Sequence, residues 1–251
     1  MLNTKILDVP YLTQPTPITC QSTCLKMYAK YLEQKLQMSS LGAEKTVQEI
    51  WKEINEDPNR PSKVRNSYDN FSWWLQKYFG PRRFEVKSSR SVDEAIQLIV
   101  HYIDHGYPVM VSTNHSRTDG HIILVIGYEN FEPAMSSRAV KFVCHDPYGK
   151  FNPGLKSKLF GKRRFDTGMS LATGGEIGPG KGLRYDYDAI RRVRNDKHSS
   201  GTYFLVSAQL ASWCRTTQLQ SPLIKVMVAP GLPIDYAPAA THDQPHLFTI
   251  I

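Results

Sequence analysis

The spacing of apolar residues shifts from mainly helical to strand-like near Gly106, and that change limits the fold more than any other feature. Up to that point the pattern is mainly helical. Cys20, Cys24, Met27, Tyr31 and Leu32 share one face of a segment over 20–35, with Lys26, Lys30 and Glu33 opposite, so this face is expected in the core. A second helix is expected over 46–54, stopped by Asp57-Pro58-Asn59-Arg60-Pro61. An aromatic-rich third is expected over 68–79, ended by Gly80-Pro81. Ser91-Val92-Asp93-Glu94 reads as a capping box that opens a helix over 95–104, with Val92, Ile96, Ile99, Val100 and Ile103 inward. Phe84-Glu85-Val86-Lys87 alternates and is expected to be a strand. Beyond Gly106 the period is that of strands, over 108–113, 121–128, 139–146 and 202–208. The run over 121–128 is apolar enough to be buried on both faces, and the short turn-rich connections suit an antiparallel meander. Helices followed by antiparallel strands place the chain in the α+β class, with N-terminal helices packed on an antiparallel β-sheet. Residues 6–12 are extended, with Pro10 excluding them from a sheet centre.

The segment Gln14-Pro15-Thr16-Pro17-Ile18-Thr19 leads Cys20 into the first turn of the first helix, with Thr19 as the expected N-cap. Unpaired N–H groups and the positive end of the helix dipole favour a thiolate there. Cysteine nucleophiles also need a base, a group that orients the base, and donors for the developing oxyanion. His121 follows Asp119-Gly120 at the start of a strand, where a side chain can point over a cleft edge. Asp146 ends the next strand and reaches His121 if the two strands are neighbours. Gln14 stands six residues before Cys20, so that its amide N–H and the Cys20 N–H can face one space. His115, in a polar loop, and His145, expected to point away from Asp146, are the rival bases. Cys24, one turn beyond Cys20, is expected in the core.

The formal charge is +8, and most of the excess lies between Lys150 and Lys197, where twelve Lys/Arg face five Asp/Glu for a net of +7. Such a region is either a binding surface for an anionic polymer or a solvated loop. Nucleic acid is disfavoured as the partner, because neither an aromatic-interleaved RNA signature nor a helix-turn-helix pattern accompanies the charge. The glycine-dense stretch over 173–182 lacks the Gly-Lys-Ser/Thr ending and the strand–loop–helix context of a phosphate loop. The four cysteines are too sparse for a disulfide framework, and Cys20-x3-Cys24 has no partner pair for zinc beyond Cys144-His145, so free thiols and no metal are expected. No run approaches the roughly 18 apolar residues of a membrane span. Residues 1–8 have no signal-peptide core, so synthesis and folding in the cytoplasm are expected, with any export by a non-Sec route.

Val9-Pro10-Tyr11, Gln14, Cys20, Gly120-His121 with the apolar run to Gly127-Tyr128, and Asp146-Pro147-Tyr148-Gly149 together resemble the C39-like cysteine peptidase family. The resemblance covers about 6–150 and the strand over 202–208. It implies a papain-like fold, in which the helix carrying the cysteine packs on an antiparallel sheet carrying the histidine and the aspartate. It also implies Cys20 as nucleophile, His121 as general base and acid, Asp146 as the residue orienting the imidazole and Gln14 as the oxyanion-hole residue. Gln21 and Gly120 fall beside them as candidates for contact with substrate. There are two departures. The family's Cys-Gly-Pro is Cys20-Gln21-Ser22 here, which narrows the substrate's approach or alters what the site accepts. The interval between His121 and Asp146 is also lengthened by a loop over 130–138. The expected organisation is a peptidase domain over 1–210, with a basic Gly-rich insertion over 150–200, and a Pro-rich extension over 211–251. The expected activity is cofactor-free cleavage of peptide bonds in a protein, a peptide or a peptidoglycan stem peptide, by an exported effector or lysis enzyme of a bacterium or phage. Two other readings stay open: a degenerate peptidase kept as a binding module, and a basic nucleic-acid-binding protein.

Overall fold

The structure, a computed structural model, describes residues 3–37, 40–80, 83–113, 121–132, 139–151, 165–166, 180–187 and 203–210. These all belong to a compact unit spanning Met1–Ser212. The extension expected over 211–251 lies outside the described residues, as does most of the insertion expected over 150–200.

In chain order the elements are β1 (Asn3–Ile6), α1 (Cys20–Leu36), α2 (Leu41–Glu44), α3 (Val47–Glu56), α4 (Tyr68–Phe79), β2 (Phe84–Ser89), α5 (Val92–Asp104), β3 (Val109–Ser112), β4 (Ile122–Phe131), β5 (Lys141–His145), β6 (Lys150–Phe151), β7 (Phe165–Asp166), β8 (Leu183–Asp186) and β9 (Tyr203–Ala208). The expected α+β arrangement is found: helices dominate up to Asp104, and an antiparallel sheet follows. Its strand order is β2-β9-β3-β4-β5-β8, while β6 and β7 form a separate pair. β5 lies along one edge of β4. β3 and β1 share the other edge, β3 opposite 122–125 and β1 opposite 127–131. The meander β3-β4-β5 is as expected. The last strand, however, does not add at an edge: β9 inserts between β2 and β3, with Val86 opposite Val206 and Met110 opposite the same residue.

Helix α1 is buried over a wider arc than its apolar stripe indicates. Cys24, Leu25, Met27, Tyr28, Ala29 and Leu32 are fully buried, and the polar Gln21, Ser22 and Thr23 are buried with them. Full burial of a leucine such as Leu25 or Leu32 is worth about 2 kcal/mol, so α1 is a principal anchor of the core. It packs on β4, α3 and α4. Tyr31 departs from the expected core face. It is half-buried, and its hydroxyl donates to the Gly106 carbonyl at 2.9 Å. The aromatic helix α4 serves packing: Phe71, Trp74 and Leu75 are fully buried, and Trp74 Nε1–H donates to Glu53 at 3.1 Å.

The capping box also sits elsewhere than expected. Ser91 Oγ accepts the Glu94 N–H at 3.4 Å, but the Ser91 N–H donates to Ser89 Oγ, whose hydroxyl lies 2.7 Å from the Glu94 carboxylate. Ser89 thus stands between the two groups that were expected to pair. The complete reciprocal box is at the start of α3, between Thr46 and Glu49.

Candidate active site

Cys20 is the first residue of α1, and the turn before it is folded back on itself. The Thr19 N–H and hydroxyl donate to the Thr16 carbonyl at 3.3 and 2.9 Å, and Thr19 Oγ1 accepts the Thr16 N–H at 3.2 Å. Thr19 is the N-cap residue of α1, as expected, but its hydroxyl is committed to the turn and makes no side-chain cap hydrogen bond. The uncapped first turn therefore keeps N–H groups that can face negative charge at Cys20. The thiol itself is buried and donates to Gln21 Oε1 at 3.4 Å.

His121 stands immediately before β4, and Asp146 immediately after β5. Because these strands are antiparallel neighbours with Leu124 opposite His145, the start of one lies beside the end of the other. This register brings His121 Nε2 to 2.6 Å from Asp146 Oδ1, with both side chains buried. The bond assigns the proton of the neutral ring to Nε2 and leaves Nδ1 for the thiol. Cys20 lies within hydrogen-bonding reach of the imidazole. The sheet and the start of α1 thus assemble thiol, imidazole and carboxylate in series.

Burial alone would drive protons off His121. The charge and hydrogen bond of Asp146, followed by the interaction with Cys20, outweigh it and raise the pKa from 6.5 to about 10. The folded state then holds a proton that the unfolded chain releases. The stability contributed by this pair is full below pH 6.5 and is lost as the pH rises toward about 10. Thermal melts across this window are expected to show the wild-type melting temperature falling with pH, and a flatter dependence for His121→Ala.

Asp146 is held by main chain and side chains together. Its N–H donates to the Gly180 carbonyl at 2.9 Å, and its carbonyl accepts the Tyr11 hydroxyl at 3.1 Å. Oδ1 accepts the Tyr148 N–H at 3.0 Å, and Oδ2 accepts the Tyr185 hydroxyl at 3.0 Å. The Tyr148 ring meets His121 edge-on, with centroids 6.0 Å apart. Burial, reinforced by the Asp146 charge against opposing hydrogen bonds, pushes the Tyr11 hydroxyl up to about 12 and keeps it a donor. Tyr11 and Tyr148 lie inside the motifs that marked the site in sequence. Gly180 and Tyr185 come from the basic insertion and were not expected there. The one available signal was the four-residue alternation Leu183-Arg184-Tyr185-Asp186.

Gln14 is fully buried beside this site. Its N–H donates to the Pro147 carbonyl at 2.8 Å, which ties it to the turn after Asp146. Its Nε2 donates to the Thr16 carbonyl at 2.7 Å, while Oε1 has no hydrogen-bond partner among the described residues. One of the two amide hydrogens is therefore engaged by the turn in front of Cys20. Gly120 and His115 lie outside the described residues.

The rival base His145 is occupied at both nitrogens. Nε2–H donates to the Val9 carbonyl at 2.8 Å, and Nδ1 accepts the Gly182 N–H at 3.1 Å. Burial lowers its pKa, so it is a neutral strut between the N-terminal segment and β8. Cys24 donates to the Ile122 carbonyl at 3.5 Å, and burial, then Cys20, push its thiol pKa well up. Burial, then Asp146, do the same to Cys144. Cys20, Cys24 and Cys144 are free thiols, and Cys214 lies outside the described residues. Among the described residues no three His, Cys, Asp or Glu side chains group as a metal site, and no helix is long and apolar enough to cross a membrane.

The sequence model of the Peptidase_C39 like family matches residues 6–166, a span that includes Gln14, Cys20, His121 and Asp146. Among curated proteins none matches the chain.

Proposed function

The chain belongs to the Peptidase_C39-like family, and from that premise we propose that it is a cysteine peptidase acting through Cys20, His121 and Asp146. The observation that carries the proposal is the buried imidazole of His121, bonded to Asp146 at 2.6 Å on one nitrogen and within reach of the Cys20 thiol. The proton of the thiol rests on His121 Nδ1 in a thiolate–imidazolium pair, which the raised His121 pKa favours, and the thiolate attacks the substrate carbonyl carbon. The tetrahedral oxyanion accepts the Cys20 N–H and the second amide hydrogen of Gln14. His121 then protonates the leaving amine as the C–N bond breaks, leaving a thioester. A water molecule gives a proton to His121, its hydroxide attacks the thioester, and the acid leaves as Cys20 is restored.

The proposed substrate is a peptide bond in a protein, a peptide or a peptidoglycan stem peptide, met by an exported effector or lysis enzyme. Gln21 and Gly120 adjoin the nucleophile and the base, and are proposed to contact it. The basic stretch over 150–197 is proposed to bring the enzyme to an anionic polymer. One observation favours a second reading, a binding module: the Gln21 side chain is buried against the thiol, where the family carries glycine. Digestion of a peptide library and of muropeptides, followed by mass spectrometry, separates the two. The proposal expects new termini from wild-type protein and none from Cys20→Ala. Binding without cleavage by either protein would overturn it in favour of the module.

A further inference from the structure

We propose that Tyr185 is a positioning residue for the Asp146–His121 pair, its hydroxyl holding the second carboxylate oxygen and setting the charge that Asp146 presents to the imidazole. The inference rests on the reading of Cys20, His121 and Asp146 as the reacting groups. Tyr185 lies on β8, opposite Phe142 of β5, and donates to Asp146 Oδ2 at 3.0 Å. The other oxygen, Oδ1, receives the imidazole and the Tyr148 N–H. The turn leading into β8 holds the same residue by its main chain, through the Gly180 carbonyl, and holds the His145 ring through the Gly182 N–H. One short segment, 180–186, therefore fixes the acid in position and orientation. It lies wholly beyond the family match over 6–166, so this chain completes its site with residues from outside the matched region.

A phenol donating to a carboxylate spreads its negative charge and makes it a weaker partner for an imidazolium. Loss of the donor concentrates charge on Oδ1, and His121 holds its proton more tightly. Among the described residues, the groups facing the pair include Cys20 and Cys24 of α1, Tyr11, Cys144 of β5, Tyr148 and Tyr185. Of these, Tyr185 donates its hydroxyl to Oδ2.

The test is the titration of His121 followed by NMR of the ¹⁵N-labelled ring in the full chain. A net hydrogen bond of ordinary strength corresponds to a shift of about 0.4–1 pH unit. Tyr185→Phe is expected to move the His121 titration upward by that amount. Replacement of Tyr185 by 3-fluorotyrosine, nearly isosteric and a stronger donor, moves it downward and keeps the test intact should Tyr185→Phe not fold. Asp186→Asn, next to Tyr185 on β8, breaks the exposed pair with Lys141 of β5 and leaves the titration in place. Fast alkylation of Cys20 in the wild type, together with an unchanged His121 titration in both Tyr185 variants, overturns this inference and leaves the site standing. Slow Cys20 alkylation in the wild type overturns the reading of the site itself.

Discussion

Cys20→Ala is expected to lower turnover of any substrate the wild-type protein cleaves by on the order of 10⁴-fold or more, while leaving the fold intact. The size of the effect follows from the chemistry. Without the sulfur there is no covalent intermediate, and the protonated His121 has no thiolate to pair with. What survives is the weak catalysis that an oxyanion site and substrate binding supply. The structural cost is small because the change removes a single sulfur atom from a short buried side chain at a helix start, whose partner is Gln21 at 3.4 Å. A change of about 1 kcal/mol or less corresponds to roughly 2–4 °C in melting temperature for a chain of this size. Paired kinetic and thermal measurements on the two proteins check both halves.

Gly180→Ala is expected to be the most damaging single-methyl addition near the site, although Gly180 contributes no side chain to it. A Cβ at this position would stand 2.0 Å from the Asp146 carbonyl oxygen and 2.6 Å from the Tyr11 hydroxyl. The nearer atom is backbone and cannot rotate aside, so the turn before β8 must back away from β5. That movement breaks the bond from the Asp146 N–H to the Gly180 carbonyl and displaces the carboxylate from His121. Overpacking of this kind costs about 1–3 kcal/mol, and displacement of a reacting group by about 1 Å costs roughly 10²-fold in rate. The expected result is a melting temperature lower by about 2–12 °C, with kcat/KM reduced about 10²-fold. Gly182→Ala is the comparison. It meets nothing nearer than 4.0 Å, and costs only the strain of its left-handed backbone at φ +61°, about 1 kcal/mol.

Much of this molecule was legible before its fold was seen. The bounds of α4 coincide with the expected ones, because an aromatic 3.6-residue pattern ends at Gly80. α1 begins at the expected cysteine. The order Gln14, Cys20, His121, Asp146 pointed to the candidate site, and the β4–β5 register explains how His121 and Asp146, far apart in sequence, meet there. What escaped was non-local. β9 pairs with β2 and β3 across more than ninety residues of chain, and nothing local in Tyr203–Ala208 says which strands it will join. β8 escaped because four alternating residues among charges and glycines have the composition of a loop. Tyr185 and Gly180 escaped with it. Thr19 illustrates a different limit: it is the N-cap residue its type suggests, but its hydroxyl bonds Thr16 in the preceding turn rather than an N–H group of the helix.

The central claim is that Cys20 is activated by His121 while the other described thiols are inert. Brief treatment of the native protein with iodoacetamide near neutral pH, followed by mass spectrometry of each cysteine-containing peptide, tests it directly. The expected result is modification of Cys20 at least about tenfold faster than of Cys24 or Cys144, with the excess abolished in His121→Ala. Labelling of Cys20 no faster than of Cys24 and Cys144, or equally fast labelling in His121→Ala, would contradict it.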